Sequence, residues 1–394
     1  MIYLDNAATT KVDPLVAAVI AESMQNDFAN SGAVYSLGLE TKRKLKNAEE
    51  EIARLLFLPP HYRVIFTGSG SEANNLFIKG YGGIKRKIGC LGLEHPSVLE
   101  TVNFLKDEGG ELELLSNWRN GGKLDPACFS EISESNIKLV CLSHVNNELG
   151  SINNPLKVFQ SAKKDSPRTK FFFDGVQALG KIPLNKDIWN CVSGYSISAH
   201  KINGPKGIGA LIYDSRLSLT PSIHGGKQQL GVRSGTIPVP LVLGLTEALK
   251  ISLRDISSNA ELYKKLSQRL LSGLVELSEK SPDLNIRFNS EVEVRDDWCP
   301  SIVNFSFPPV EGEVVLHHLE ESQIFVGLGS ACSASSKDPS KILLGLGVSK
   351  EEARCSLRIS FGSENRLEDI DFFIKEFDRI YKNLYPSFQD KRGD

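Results

Sequence analysis

The chain has 394 residues, enough for two or three domains and a sizeable buried core. With 41% hydrophobic and 24% charged residues it falls among globular proteins, which excludes disordered, collagen-like and mucin-like classes. Forty-six basic against 48 acidic side chains leave a net charge of -2, so there is no overall positive field for a nucleic-acid backbone and no direct nucleic-acid partner is expected.

No run approaches the roughly 18 apolar residues of a membrane-spanning helix, the stretch 239–245 being far too short, so no membrane partner is expected. No basic segment followed by an apolar stretch marks a secretory signal, and a cytoplasmic location is the expectation. The seven cysteines, at 90, 128, 141, 191, 299, 332 and 355, are odd in number and contain no Cys-x-x-Cys. Reduced thiols and no metal site follow from that spacing.

Between residues 40 and 215, short β-rich runs (63–67, 88–93, 138–144, 170–174, 191–198 and 208–214) alternate with helical patterns. Such alternation predicts an α/β fold with a largely parallel sheet covered by helices. Further on, Leu262, Leu266, Leu270 and Leu274 recur at helical spacing within a long charged segment, 259–280. A strand over 301–307 then opens a second, smaller α+β unit.

Ligands of open parallel sheets bind beyond the carboxyl ends of the strands, so polar residues that follow apolar runs matter most. Four such places stand out. Thr67-Gly68-Ser69-Gly70-Ser71-Glu72-Ala73-Asn74 is a glycine turn entering a helix near Ser71, whose free N–H groups suit a phosphate. It lacks the Gly-Lys-Ser/Thr ending of a P-loop, and it also reads as a plain turn with Ser71 as N-cap and Asn74 in the first turn. Asp174 ends the run Phe171-Phe172-Phe173, as a cap or as a catalyst. Ser198, His200 and Lys201 follow another strand, where a lysine is either solvated or desolvated enough to be a nucleophile. His95 follows Leu93-Glu94, as a structural or a reactive imidazole.

Together a phosphate nest, an acid, an amine and an imidazole are the parts needed to hold pyridoxal phosphate. On residues 3–10 (YLDNAATT), Glu94-His95, 144–150 (HVNNELG), 174–177, 198–201 (SAHK), 204–209 (GPKGIG), 233–236 (RSGT), 329–332 (GSAC) and 357–360 (LRIS), the chain resembles the cysteine desulfurase family from end to end. That family is a NifS-like, class V branch of fold-type I pyridoxal-phosphate enzymes.

The resemblance implies a large cofactor-binding domain over 12–255 and a small domain formed by 1–11 with 256–394, the latter carrying a cysteine loop. Lys201 would hold the cofactor covalently and move the Cα proton, and Asp174 would keep the pyridine nitrogen protonated. Gln177 would donate to the phenolic oxygen, while His95 would stack on the ring and serve in proton transfer. Gly70, Ser71, Ser198 and His200 would surround the phosphate, joined by Thr236 from a neighbouring subunit in a homodimer. Arg358, Asn147 and Asn30 would take the substrate carboxylate, with Asn147 also touching the cofactor. Cys332 would attack the sulfur of L-cysteine, giving L-alanine and a persulfide passed to an acceptor protein, an iron-sulfur scaffold or a thiolation relay.

The chain also departs from the family. Its entrance loop reads Ala29-Asn30-Ser31-Gly32-Ala33 with Tyr35 at the usual histidine position, residues 224–230 are unusual, and the aromatic, histidine-bearing tail that docks an iron-sulfur scaffold is missing. A class V aminotransferase, a selenocysteine lyase and a non-catalytic cofactor-binding homologue are the alternatives.

Overall fold

In the computed structural model, which describes residues 1–115, 118–125, 128–290, 297–329 and 338–389, the alternating runs form a seven-stranded sheet. Its order is Tyr62–Thr67, Gly209–Asp214, Val192–Ser198, Lys170–Asp174, Leu139–Ser143, Ile88–Leu91 and Leu112–Leu115. Gly209–Asp214 is antiparallel to both its neighbours, and the five strands from Val192–Ser198 onward pair in parallel. Six of the seven are the runs expected above. The seventh, Leu112–Leu115, is an edge strand with Leu115 buried and Leu114 exposed, so it lacks the continuous apolar run of a strand buried on both faces.

The middle strand shows why the sheet needs cover on both sides. Successive side chains of a strand point to opposite faces. Phe171 and Phe173 enter one apolar cluster, with Leu45 and Ile52 of the helix Ser36–Leu55 and Val242 and Leu245 of Val239–Arg254. Phe172 enters the other, with Leu76 and Phe77 of Gly70–Phe77 and Val98 and Val102 of Pro96–Asp107.

A separate apolar cluster forms around the antiparallel strands Arg287–Phe288, Ile302–Ser306 and Ser356–Ser360. Leu266, Leu270 and Leu274 of the helix Ile256–Lys280 enter it, as do Phe373 and Phe377 of Leu367–Gln389. Leu4 joins the same cluster, because Ile2–Leu4 pairs in parallel with Ile324–Val326. The short helices Lys341–Gly345 and Lys350–Arg354 turn back to the large sheet, where Ile342, Leu343 and Ala353 pack into the cluster of Phe171 and Phe173. The segment that follows the parallel strand Leu139–Ser143 also meets the second unit, where Ser151 pairs with Trp298.

Candidate active site

The anion nest is built where Tyr62–Thr67 turns into the helix Gly70–Phe77. Ser69, not Ser71, is the N-cap: its side chain accepts from Glu72 N at 3.1 Å, so the helix starts at Gly70, two residues earlier than a Ser71 cap would give, and Ser71 is exposed. The turn is tied by Gly68 N donating to Glu72 Oε2 at 2.6 Å, while Arg233 Nε donates to Glu72 Oε1 at 2.8 Å. A Cβ on Gly70 would lie 2.6 Å from Val176 Cγ2 and 3.3 Å from Ser198 Cβ, which is why a glycine stands there. Ser198 Oγ is buried and has no hydrogen-bond partner among the described residues. An orphaned hydroxyl against a helix N-terminus is what a bound phosphate would satisfy, so the residues fit that group. Close by in sequence, His200 Nδ1 lies 3.1 Å from Thr9 Oγ1, and burial followed by the charges of Lys201, Lys206 and Lys181 lowers this imidazole to about 4.

The carboxylate of Asp174 is buried at the end of its strand. Asn74 Nδ2 donates to its Oδ2 at 2.8 Å, Val176 N to its Oδ1 at 3.0 Å and Ser196 Oγ to Oδ1 at 3.4 Å. Asn74 is therefore more than a first-turn residue, since its amide also donates to Ser97 Oγ at 2.8 Å. Ser97 in turn ties in His95, which caps the helix Pro96–Asp107 by accepting Ser97 N on Nδ1 at 3.0 Å. An accepting Nδ1 puts the proton of the neutral ring on Nε2. Burial lowers the His95 pKa and Lys201 adds to that, against the pull of Asp174 in the other direction.

Next to His95, Glu94 is 1% exposed; its Oε2 accepts Ser143 N at 2.6 Å and its Oε1 has no partner among the described residues. Burial, reinforced by the charge of Asp174, pushes this carboxyl from 4.5 up to about 8. The folded protein therefore holds the proton more tightly than the unfolded chain. This contribution to stability is fully present below pH 4.5 and is lost as the pH rises through about 8. Glu94→Gln should accordingly lose less thermal stability than wild type between about pH 5 and about pH 8.5; parallel melting curves would show that Glu94 does not titrate there.

Lys201 closes a short helical turn after Val192–Ser198, and its Nζ donates to the carbonyls of Ala7 and Ala8 at 2.6 Å each. Gln177 Nε2 donates to the same Ala7 carbonyl at 2.7 Å. Arg358, 1% exposed, donates through Nη2 to Asp5 Oδ1 at 2.7 Å and through Nη1 to the Asn147 carbonyl at 3.0 Å, leaving Nε without a partner among the described residues. It is thus an ion-paired guanidinium within this chain. Asn30 and Thr236 are both exposed and line a different cleft of about 700 Å³, together with Lys42, Lys227 and Gln228. Within one chain they are not brought to the lining that contains Lys201.

Cys332 lies outside the described residues. On either side of it, Gly329 and Ser340 meet one buried carboxylate: Ser340 Oγ donates to Glu148 Oε2, and a Cβ on Gly329 would lie 3.1 Å from the same oxygen. Burial pushes Glu148 up to about 7. Glu148, Ser340 and Asp5 escaped the sequence reading as site residues, and Asn74 was read there only as a first-turn residue. The available signal was that Asn74 and Glu148 sit inside the two motifs already singled out.

The mostly parallel sheet whose strand ends carry a lysine, a buried aspartate, an imidazole and an anion nest belongs to a class-V aminotransferase, since the chain matches the Aminotransferase class-V family model over residues 2–373. Among its relatives, the cysteine desulfurase IscS of Clostridium botulinum is 32% identical over 396 residues, covering 99% of this chain and 97% of that one. The mitochondrial cysteine desulfurase of Drosophila melanogaster is 35% identical over 390 residues, covering 96% and 81%. Of solved structures, a NifS-like protein matches with a TM-score of 0.87 at 29% identity over 97% of this chain and 100% of that one. SspA in complex with cysteine matches at 0.74 and 30% identity, over 92% and 99%. Within the class, the chain belongs to the cysteine desulfurase family.

Proposed function

We propose that the protein is a pyridoxal-phosphate-dependent cysteine desulfurase that converts L-cysteine to L-alanine and loads the sulfur onto Cys332. The observation that carries the reading is the hydrogen-bonded row His95–Ser97–Asn74–Asp174 beside an orphaned Ser198 hydroxyl and the amine of Lys201. When bound, pyridoxal phosphate supplies an electron sink for the bonding electrons of the substrate carbon. Lys201 holds the cofactor through its amine and moves the Cα proton, with the Ala7 and Ala8 carbonyls as its resting acceptors. Asp174, fixed by Asn74 and Val176 N, holds a proton on the pyridine nitrogen. Gly70, Ser71, Ser198 and His200 take the phosphate and Gln177 donates to the phenolic oxygen. His95 would stack on the ring and pass protons, while Arg358 and Asn147 would take the substrate carboxylate.

In the sulfur step the Cys332 thiolate attacks the sulfur of L-cysteine. The S–S bond forms as the Cβ–S bond breaks, and the bonding pair stays with the carbon, which takes a proton to complete alanine. The outer sulfur remains on Cys332 as a persulfide for an acceptor protein. Burial pushes the Cys90, Cys141, Cys191 and Cys299 thiols up, which makes them poor nucleophiles and supports Cys332 in the role.

The cofactor belongs to the domain 12–255, and residues 1–11 with 256–394 form the small domain that carries the Cys332 segment. Thr236, exposed on its own chain, reaches the phosphate of a second copy in a homodimer. No helix among the described residues is long and apolar enough to cross a membrane, and the reading places the reaction in the cytoplasm.

Purified protein given L-cysteine should release alanine and, with a thiol reductant, sulfide in equal amounts; alanine without sulfide, or neither, overturns the proposal. Asp174→Asn should keep the cofactor but lower turnover by roughly a hundredfold, about 2.7 kcal/mol at 1.36 kcal/mol per factor of ten. An unchanged rate would reduce Asp174 to a structural cap.

A further inference from the structure

Lys181 is a buried cation that the reaction above leaves unused. It is 4% exposed, and no carboxylate lies within ion-pair distance of its amine among the described residues. A lysine in such a place costs stability unless its donors are met. Its amine donates to Gln177 Oε1, four residues back in the turns that follow Lys170–Asp174. The turns themselves are held by Ala178 N and Leu179 N, which donate to the Gly175 carbonyl at 3.0 and 3.1 Å, and by Lys181 N, which donates to Ala178 O at 3.1 Å.

The consequence lies in the chemistry of an amide. Gln177 has an accepting end and a donating end, and each end meets a partner that fits only one of them. A lysine ammonium has no acceptor, so it can face only the oxygen, and a backbone carbonyl has no donor, so Ala7 O at 2.7 Å can face only the nitrogen. Rotating the amide by half a turn would set NH₂ against ammonium and oxygen against oxygen. We propose that Lys181 is a positioning residue: by pinning Gln177 Oε1 it forces Nε2, with its second N–H, to be the end that faces an anionic oxygen next to Lys201. The proposal rests on the reading of Gln177 as the donor to the cofactor's phenolic oxygen.

It is the ammonium form of Lys181, present below about pH 7, that fixes the amide, and Gln177 Oε1 is the acceptor that meets it. Burial is the main influence on the amine, bringing it down to about 7; Lys201 and Arg358 push in the same direction, while Cys299 and Asp5 oppose them. Lys201 and Gln177 share the Ala7 carbonyl, so the amine that holds the cofactor and the amide that meets its phenolic oxygen are set by one backbone atom. Lys181 is the side chain that decides which way the second of them points.

The test compares Lys181→Met, Gln177→Ala and the double variant as holoenzymes prepared with pyridoxal phosphate. Three quantities are read: the pH midpoint of the visible band, the cofactor dissociation constant and the thermal midpoint of the apoprotein. Lys181→Met should shift the band midpoint and weaken cofactor binding by roughly tenfold, the scale of one lost hydrogen bond to a charged group. Gln177→Ala should do the same, and the double variant should be no more than about twofold worse than Gln177→Ala alone, since the lysine acts through the amide. The apoprotein thermal midpoint should not fall in Lys181→Met, because a methionine of similar shape replaces a buried charge. Multiplying effects in the double variant, or a wild-type band in Lys181→Met, overturns the proposal.

Gln177→Glu gives an independent check that needs no cofactor. The new carboxylate loses the Ala7 contact but gains an ion pair with Lys181, so Gln177→Glu should lower the apoprotein thermal midpoint less in the wild-type background than in Lys181→Met; an equal fall in both backgrounds overturns the proposal. Wild-type protein that takes up no pyridoxal phosphate would instead defeat the functional reading, leaving the apoprotein comparison to judge Lys181 by itself.

Discussion

Replacing Cys332 with alanine should stop alanine production from L-cysteine, a loss of at least about a thousandfold, while cofactor uptake stays within about twofold of wild type. The asymmetry follows from where the parts lie. The nest around Gly70 and Ser198, the Asp174 array and Lys201 all stand on the large sheet and its first helices. What the substitution removes is the thiolate to which the sulfur must move. In a transaminating enzyme only proton transfers are needed, and loss of that thiol would leave the rate nearly intact. Mass spectrometry reads the outcome directly: wild-type protein mixed briefly with L-cysteine, without reductant, should carry one additional sulfur on the peptide holding Cys332. The six other cysteines are all buried in the fold. Sulfur on any of them would defeat the assignment of Cys332 and leave the family membership standing.

Lys201→Ala should produce the second large effect. Two functions leave with one side chain, attachment of the cofactor and movement of the Cα proton, and the rate should fall by about ten-thousandfold, the upper range for loss of a positioned acid-base group. Noncovalent uptake should survive, because Gly70, Ser198 and Asp174 remain to meet the phosphate and the ring. In wild type, borohydride reduction followed by denaturation should leave the cofactor on the peptide that contains Lys201. Alanine at 201 should release all of it. Cofactor retained after that treatment would mean that another amine does the work, and Lys181, the neighbouring lysine that also lines the pocket of Lys201, would be the first to suspect.

How far these parts could be read beforehand depended on how local they are. Asp174, His95 and Lys201 stand out because each follows an apolar run, and the end of a strand in a parallel sheet is a place defined by the chain itself. Residues 67–74 announce a turn and a helix, yet Ser69-Gly70-Ser71 offers two hydroxyls two residues apart; which of them caps the helix depends on where the helix actually starts. Leu112–Leu115 went unseen because an edge strand does not need the apolar run that betrays a buried one. The pairing of Arg358 with Asp5 joins positions from opposite ends of the sequence, and no local pattern encodes it. Lys181 was hidden for a further reason: lysine is ordinarily solvated, and only burial of the whole turn makes its amine turn inward to Gln177.

The pairing of Ile2–Leu4 with Ile324–Val326 has a bearing on how the protein is made. A ribosome adding about 5 to 20 residues per second needs roughly 15 to 60 s to travel from one strand to the other. Throughout that interval Leu4, which ends up fully buried, has no strand to pair with. The carbonyls of Ala7 and Ala8, the acceptors of the Lys201 amine, hang on the same unanchored stretch. The large sheet can close while the nascent chain is still short of Ile324, but the floor beneath Lys201 is laid only once Ile324–Val326 has emerged. Loading of the cofactor is therefore expected to follow synthesis of that strand, and a chaperone that covers the waiting strand would raise the yield of active protein more than one that assists the sheet.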